Sequence, residues 1–152
     1  EIHERLVGSE MCIRDSYSAS GAPAQEGYEQ VDFETLLTQS DIISVHAPLN
    51  EHTEGLINSK AFEKMKSSCI FLNLGRGPIV DEQALYNALV RNQIAAAGLD
   101  VLCKEPMSAD NPLLKIKDSK RLLITPHIAW ASVEARTHLM EIIHGQVKDF
   151  FA

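Results

Sequence analysis

The chain has 152 residues, 45% of them hydrophobic and 23% charged, a balance that fits an ordinary globular domain and excludes fibrous and disordered classes. Its 21 acidic residues against 14 basic ones give a formal net charge of -7 without clustered Lys and Arg, which points away from nucleic acid as a partner. No run of about eighteen apolar residues is present to span a membrane, and Cys12, Cys69 and Cys103 lack C-x-x-C spacing, so neither a disulfide framework nor a metal site is indicated and a reducing, cytoplasmic setting is expected.

Residues 1–16 keep neither a period of two nor one of 3.6. Leu6-Val-Gly-Ser-Glu-Met-Cys-Ile-Arg-Asp-Ser16 resembles translated sequencing-adapter text, so this stretch is expected to be a non-native or irregular arm. From Tyr17 onward, short apolar runs alternate with amphipathic ones, the pattern of a parallel sheet covered by helices. The expected strands are Ile42 to His46, Cys69 to Leu74, Ile94 to Val101 and Arg121 to Thr125. Each is nearly continuously apolar, which predicts burial on both faces. Asp32, Ser59, Asp81 and Ser132 are the expected helix caps, the last starting a helix with Leu139, Ile143, Val147 and Phe150 at helical spacing.

Proline falls directly after strands in His46-Ala-Pro48, Glu105-Pro106 and Thr125-Pro126-His127. Those loops leave the carboxyl edge of the sheet, where open parallel sheets hold their ligands. The polar residues gathered there are candidates for chemistry. Arg76 stands between Gly75 and Gly77, in a turn that permits close backbone approach, and its guanidinium can hold a carboxylate through two parallel hydrogen bonds. Taken alone, an isolated Gly-Arg-Gly reads first as a surface arginine in a turn. Gly75-x-Gly77 is not read as a phosphate loop, because Val80 stands where the third glycine of that fingerprint belongs. Asp100 can accept a hydrogen bond from a carboxamide and Glu105 can orient an imidazole, though each acid alone also reads as a cap or a solvated loop residue. His127, between a proline and apolar neighbours, is the acid-base candidate, or alone a satisfied core histidine. Their joint arrival from successive strand ends favours a site.

Asn73-Leu-Gly-Arg76-Gly-Pro-Ile-Val-Asp81, Gly98-Leu-Asp100-Val with Glu105-Pro106, and Thr125-Pro-His127 resemble, in order and spacing, the signatures of the D-2-hydroxyacid dehydrogenase family. The similarity runs from about Tyr17 to Ala152, and His127-Ile-Ala-Trp130 through Arg136 looks most like the glycerate dehydrogenase or hydroxypyruvate reductase branch. The resemblance implies a candidate catalytic set of Arg76 on the substrate carboxylate, His127 as acid-base and Glu105 as its partner. It implies NAD or NADP held by Ala47, Pro48, Thr53, Leu74, Gly75, Asp100 and Ala129, with Trp130 shaping the substrate pocket. It further implies a small 2-hydroxy or 2-keto acid as substrate and a homodimeric full-length parent.

The resemblance also has gaps. The family's first strand and Gly-x-Gly-x-x-Gly turn are missing before Tyr17, and neither Ser18 nor Ala19 is the acid that selects NAD over NADP. The expectation is therefore an α/β chain holding an incomplete Rossmann-like, doubly wound parallel sheet. Residues 17–130 form a partial dinucleotide-binding domain, and 131–152 a carboxyl-terminal helix returning to a separate substrate domain. Such a fragment is expected to be inactive by itself. Without the central first strand the sheet is expected to split beside Ile42 to His46, leaving a gap or a wrong pairing against Cys69 to Leu74. Two alternatives stand beside the dehydrogenase: a cofactor-sensing corepressor of the same fold, and, with no matching nucleophile or lysine motif, a hydrolase of adenosylated thioethers.

Overall fold

The computed structural model describes residues 15–21, 23 and 29–151, so the expected arm of residues 1–16 lies outside the described residues apart from its last two positions. Those two form β1 (Asp15–Ser16), which pairs in parallel with β2 (Glu29–Gln30) as a separate two-stranded sheet. The main sheet has four parallel strands in the order β3 (Ile42–Val45), β4 (Ile70–Asn73), β5 (Ala96–Leu99) and β6 (Leu122–Ile124). Each falls inside one of the expected apolar runs.

The helices follow local signals. Asp32 accepts the Thr35 amide at 2.8 Å and starts α1 (Phe33–Gln39), and Asp81 accepts the Gln83 and Ala84 amides, both at 2.9 Å, to start α3 (Glu82–Val90). For α2 (Ser59–Lys64) the cap is Asn58, not Ser59. Asn58 already has extended backbone and turns its oxygen onto the Lys60 and Ala61 amides, which makes Ser59 the first helical residue. Ser132 accepts the Ala135 amide at 3.1 Å and starts α4 (Val133–Phe150).

The sheet is divided, but not where the sequence predicted. Ile42–Val45 pairs in continuous parallel register with Ile70–Asn73, so there is neither a gap nor a wrong pairing between these strands. The break lies on the other side of β3, whose outer edge pairs with no strand among the described residues. The misplacement has a simple cause: Glu29–Gln30 is a two-residue exposed polar strand with no apolar signal, so the Ile42 run was counted one place too early.

Burial also departs from expectation. Ile43, Phe71, Ala97 and Leu99 face the core and meet Leu37, Phe62, Leu85 and Leu89 from the helices, with Phe62 and Phe71 edge to face at 5.5 Å. On the opposite face Ile42, Ile70 and Leu123 stay 60%, 40% and 62% exposed. The described helices bury only one side, so the near-continuous apolarity marks a surface for which no cover exists among the described residues. α4 is apolar along Leu139, Ile143, Val147 and Phe150, yet buries no residue.

Because all four strands of the main sheet run in parallel, the loops after Val45, Asn73, Leu99 and Ile124 leave by one edge. An unpaired, apolar strand edge is a template for pairing with another chain. The 152-residue chain alone is therefore expected to self-associate and to melt without a single sharp transition. Limited proteolysis and thermal melting check this, and a protease-resistant monomer with one cooperative transition would contradict it.

Candidate active site

Four loops build the carboxyl edge, and each is tied to its neighbour. In the loop after β4, buried Asn73 donates from Nδ2 to the Arg76 carbonyl at 3.0 Å, while its Oδ1 accepts the Gly75 amide at 3.1 Å. That side chain folds the turn presenting Arg76. A Cβ on Gly75 would sit 2.9 Å from the Ala47 carbonyl oxygen, and one on Gly77 would sit 2.0 Å from the Leu102 backbone. Both glycines therefore press the arginine loop onto the adjoining loops, a packing no side chain allows. Arg76 itself is exposed and spends one donor on the Gly75 carbonyl at 2.9 Å.

Between the loops after β3 and β4 lies a cavity of about 440 Å³ whose lining includes His46, Ala47, Pro48, Leu74, Gly75 and Arg76. Four of the expected cofactor residues thus share one wall. Thr53 does not reach it. Its side chain is buried, donating to the Pro48 carbonyl at 2.7 Å and accepting the Asn50 amide at 2.9 Å, so it braces the loop from behind.

Asp100, at the end of β5, is the hub for the next two loops. Its Oδ1 accepts the Thr125 hydroxyl at 2.6 Å and the Ile128 amide at 2.9 Å, its Oδ2 accepts the Ala129 amide at 2.8 Å, and its carbonyl accepts the His127 amide at 2.9 Å. Burial pushes the Asp100 carboxyl up, but the bonds from Thr125, Ala129 and Ile128 together with the His127 charge outweigh it and hold the group below the usual aspartate value. A carboxylate has about four lone-pair sites, so one on Oδ2 is left for a further donor.

These bonds hold His127 in an uncommon backbone state. Its φ is +56°, the left-handed region that non-glycine residues enter at a cost of about 1–3 kcal/mol. Trp130 adds a bond from Nε1 to the His127 carbonyl at 2.8 Å, its ring otherwise exposed. Thus fixed, the His127 Nδ1 lies 2.8 Å from Glu105 Oε2, while Glu105 Oε1 accepts the Leu102 amide at 2.9 Å. The Leu102 amide, then the His127 bond, hold the Glu105 carboxyl below the usual glutamate value.

Of the expected residues, Glu105 and His127 are in direct contact, and the turn carrying Arg76 is held against the Glu105 loop through Gly77 and Leu102. Ala129 contributes its amide to Asp100 rather than a side chain, and Trp130 is tied to the His127 backbone carbonyl while its ring lines a hollow against α4 with Val133, Arg136 and Met140. The loop-bracing roles of Asn73 and Asp100 were not read from the sequence. Their signal was an amide or acid at the last or next position of an apolar run, a place that offers ties to the following loop.

The chain matches the model of the D-isomer specific 2-hydroxyacid dehydrogenase NAD binding domain over residues 3–129. It is 42% identical over 146 residues to a hydroxypyruvate reductase of Blautia hydrogenotrophica, covering 96% of this chain and 44% of that protein. Among solved structures it superposes on an acyclic imino acid reductase in complex with NADPH and D-Arg, with a TM-score of 0.79, 34% identity, and coverage of 91% and 43%. It also superposes on the D-lactate dehydrogenase of Aquifex aeolicus complexed with NAD and lactic acid, with a TM-score of 0.76, 28% identity, and coverage of 90% and 45%. The chain spans less than half the length of these relatives.

Replacing Asp100 by Asn turns one acceptor into a donor facing a loop donor, and should cost about 1–3 kcal/mol at neutral pH in a chain of the relatives' full length. A carboxyl held low in the folded state stabilises above its unfolded value of 3.8 and loses that contribution as pH falls through the folded value. The gap between wild type and Asp100→Asn should accordingly narrow at acid pH, as read from urea midpoints at about pH 7 and about pH 3.

Proposed function

Since the chain belongs to the D-isomer specific 2-hydroxyacid dehydrogenase family, we propose that it is the cofactor-binding part of an enzyme moving a hydride between NAD or NADP and C2 of a small D-2-hydroxy acid, glycerate and hydroxypyruvate being the pair. The observation that carries this reading is the 2.8 Å bond between His127 Nδ1 and Glu105 Oε2, beside the loop of Arg76.

The residues present suit a nicotinamide. Ala47, Pro48, Leu74 and Gly75 line the cavity of about 440 Å³ together with the polar side chains of His46 and Arg76, and the remaining lone pair of Asp100 Oδ2 can take a carboxamide donor. When bound, the reduced or oxidised nicotinamide supplies or accepts the hydride.

The protein's share is proton transfer and orientation. With Nδ1–H directed at Glu105, His127 presents Nε2 to the substrate oxygen, donating a proton in keto acid reduction and taking one in hydroxy acid oxidation. Glu105 fixes that tautomer and the orientation of the ring. Arg76 engages the substrate carboxylate through its planar pair of donors and draws charge from the C2 carbonyl. Trp130, bonded to the His127 carbonyl, walls the substrate side. On the same proposal α4 packs its exposed apolar face on a substrate domain, the full-length enzyme is a cytoplasmic homodimer, and the 152-residue chain alone is inactive.

The test is a hydride-transfer assay on the full-length protein, following nicotinamide absorbance with hydroxypyruvate, glyoxylate and pyruvate. Arg76→Lys loses the paired geometry and His127→Gln the proton transfer, each lowering kcat/KM by about 100- to 10,000-fold. Glu105→Gln should also lower kcat/KM for reduction, because the imidazole loses the acceptor that fixes its Nδ1–H tautomer. Cofactor binding without turnover of any of these acids would favour a sensing protein and overturn the enzymatic reading.

A further inference from the structure

The segment carrying Glu105 is anchored at both ends by one side chain of α3. Glu82, half-buried in the first turn, accepts the Cys103 amide on Oε1 at 2.8 Å and Asn111 Nδ2 on Oε2 at 2.7 Å. From Cys103 to Asn111 the chain has no helix or strand of its own, and Glu105 lies within it. Its shape therefore depends on its anchors. At one end the Cys103 peptide packs on Gly77 and follows Leu102, whose amide fixes Glu105 Oε1. At the other end Asn111 is buried and cannot turn its amide over, because its Oδ1 accepts the Leu113 amide at 2.9 Å and caps the 3-10 turn Pro112–Lys115.

The donors facing Glu82 are thus fixed on both sides, and a carboxylate satisfies both because it presents acceptors only. A glutamine would meet one of them with a donor. The tie is not a reactive thiol site: burial first, and then the Glu82 charge, push the Cys103 thiol up to about 11, and it donates weakly to the Val80 carbonyl at 3.5 Å.

We propose that Glu82 is a positioning residue for the Glu105–His127 pair, holding Cys103 and Asn111 on its two oxygens so that the loop between them aims Glu105 at the imidazole. The catalytic meaning of this rests on the dehydrogenase reading, whereas the geometry does not.

The test uses the full-length protein with Glu82→Gln, Asn111→Asp and the two together. Glu82→Gln sets two amides against each other, and Asn111→Asp sets two carboxylates together. The double variant exchanges donor and acceptor, so the introduced amide donates to the introduced acid and still accepts from Cys103, while the acid still caps Leu113. Two readouts are taken: solvent exchange of the His127 Nδ1 proton by NMR, and kcat/KM for keto acid reduction. Each single change should speed Nδ1 exchange and lower kcat/KM by about 10- to 100-fold, as expected for a group moved off its productive position. The double variant should return both to within about threefold of wild type, the non-additivity of a direct contact. If no acid is turned over but exchange follows this pattern, the dehydrogenase reading fails and the positioning role stands. If turnover is present and both single variants leave Nδ1 exchange as in wild type, or the double variant loses the product of the two, the positioning role is overturned.

Discussion

Everything at the carboxyl edge of the sheet converges on the hydrogen bond between Glu105 and His127. A carboxylate and an imidazole 22 positions apart in sequence meet only if two loops are both rigid and correctly offset. The chain achieves this with backbone ties rather than with packing, since both side chains are substantially exposed. Asp100 grips the histidine loop at four points, and Leu102 fixes the second oxygen of Glu105. The positive φ of His127 is the local cost of aiming the ring, and the bonds around Asp100 offset it.

The main sheet supplies the frame for these ties. Parallel strands deliver successive loops to one edge at the strand spacing of about 4.8 Å, close enough for the backbone of one loop to rest on the next. Gly75 and Gly77 allow that contact, bringing Arg76 between the loop at Ala47 and the glutamate loop at Leu102. The core beneath, centred on Phe62 and Phe71, is closed on one face. The uncovered face and the bare helix α4 belong to a chain that spans less than half of its relatives' length.

Much of this was legible in the sequence, for physical reasons. Long apolar runs specify buried strands, so β3 to β6 fell within the expected spans, and Arg76, Glu105 and His127 stood out because polar residues directly after such runs must lie at the sheet edge. What could not be read was non-local or signal-poor. Glu29–Gln30 pairs with β1 without a hydrophobic residue, so the break in the sheet was placed on the wrong side of β3. Apolarity showed that both faces of the strands want cover, not which face receives it. Thr53 follows Ala47 and Pro48 closely in sequence and was expected beside them, yet it turns inward to brace Pro48. The Glu82 clamp joins positions 21 and 29 residues apart, a separation that leaves no periodic trace.

The central claim is that Glu105 and His127 act as one unit in proton transfer. Groups that act as a unit lose function non-additively, so a double-mutant cycle on kcat/KM of the full-length enzyme addresses it most directly. The account predicts that Glu105→Gln costs activity in the wild-type background and almost nothing further once His127→Gln is present. Losses that multiply would show that the two residues serve the reaction independently and would contradict the account.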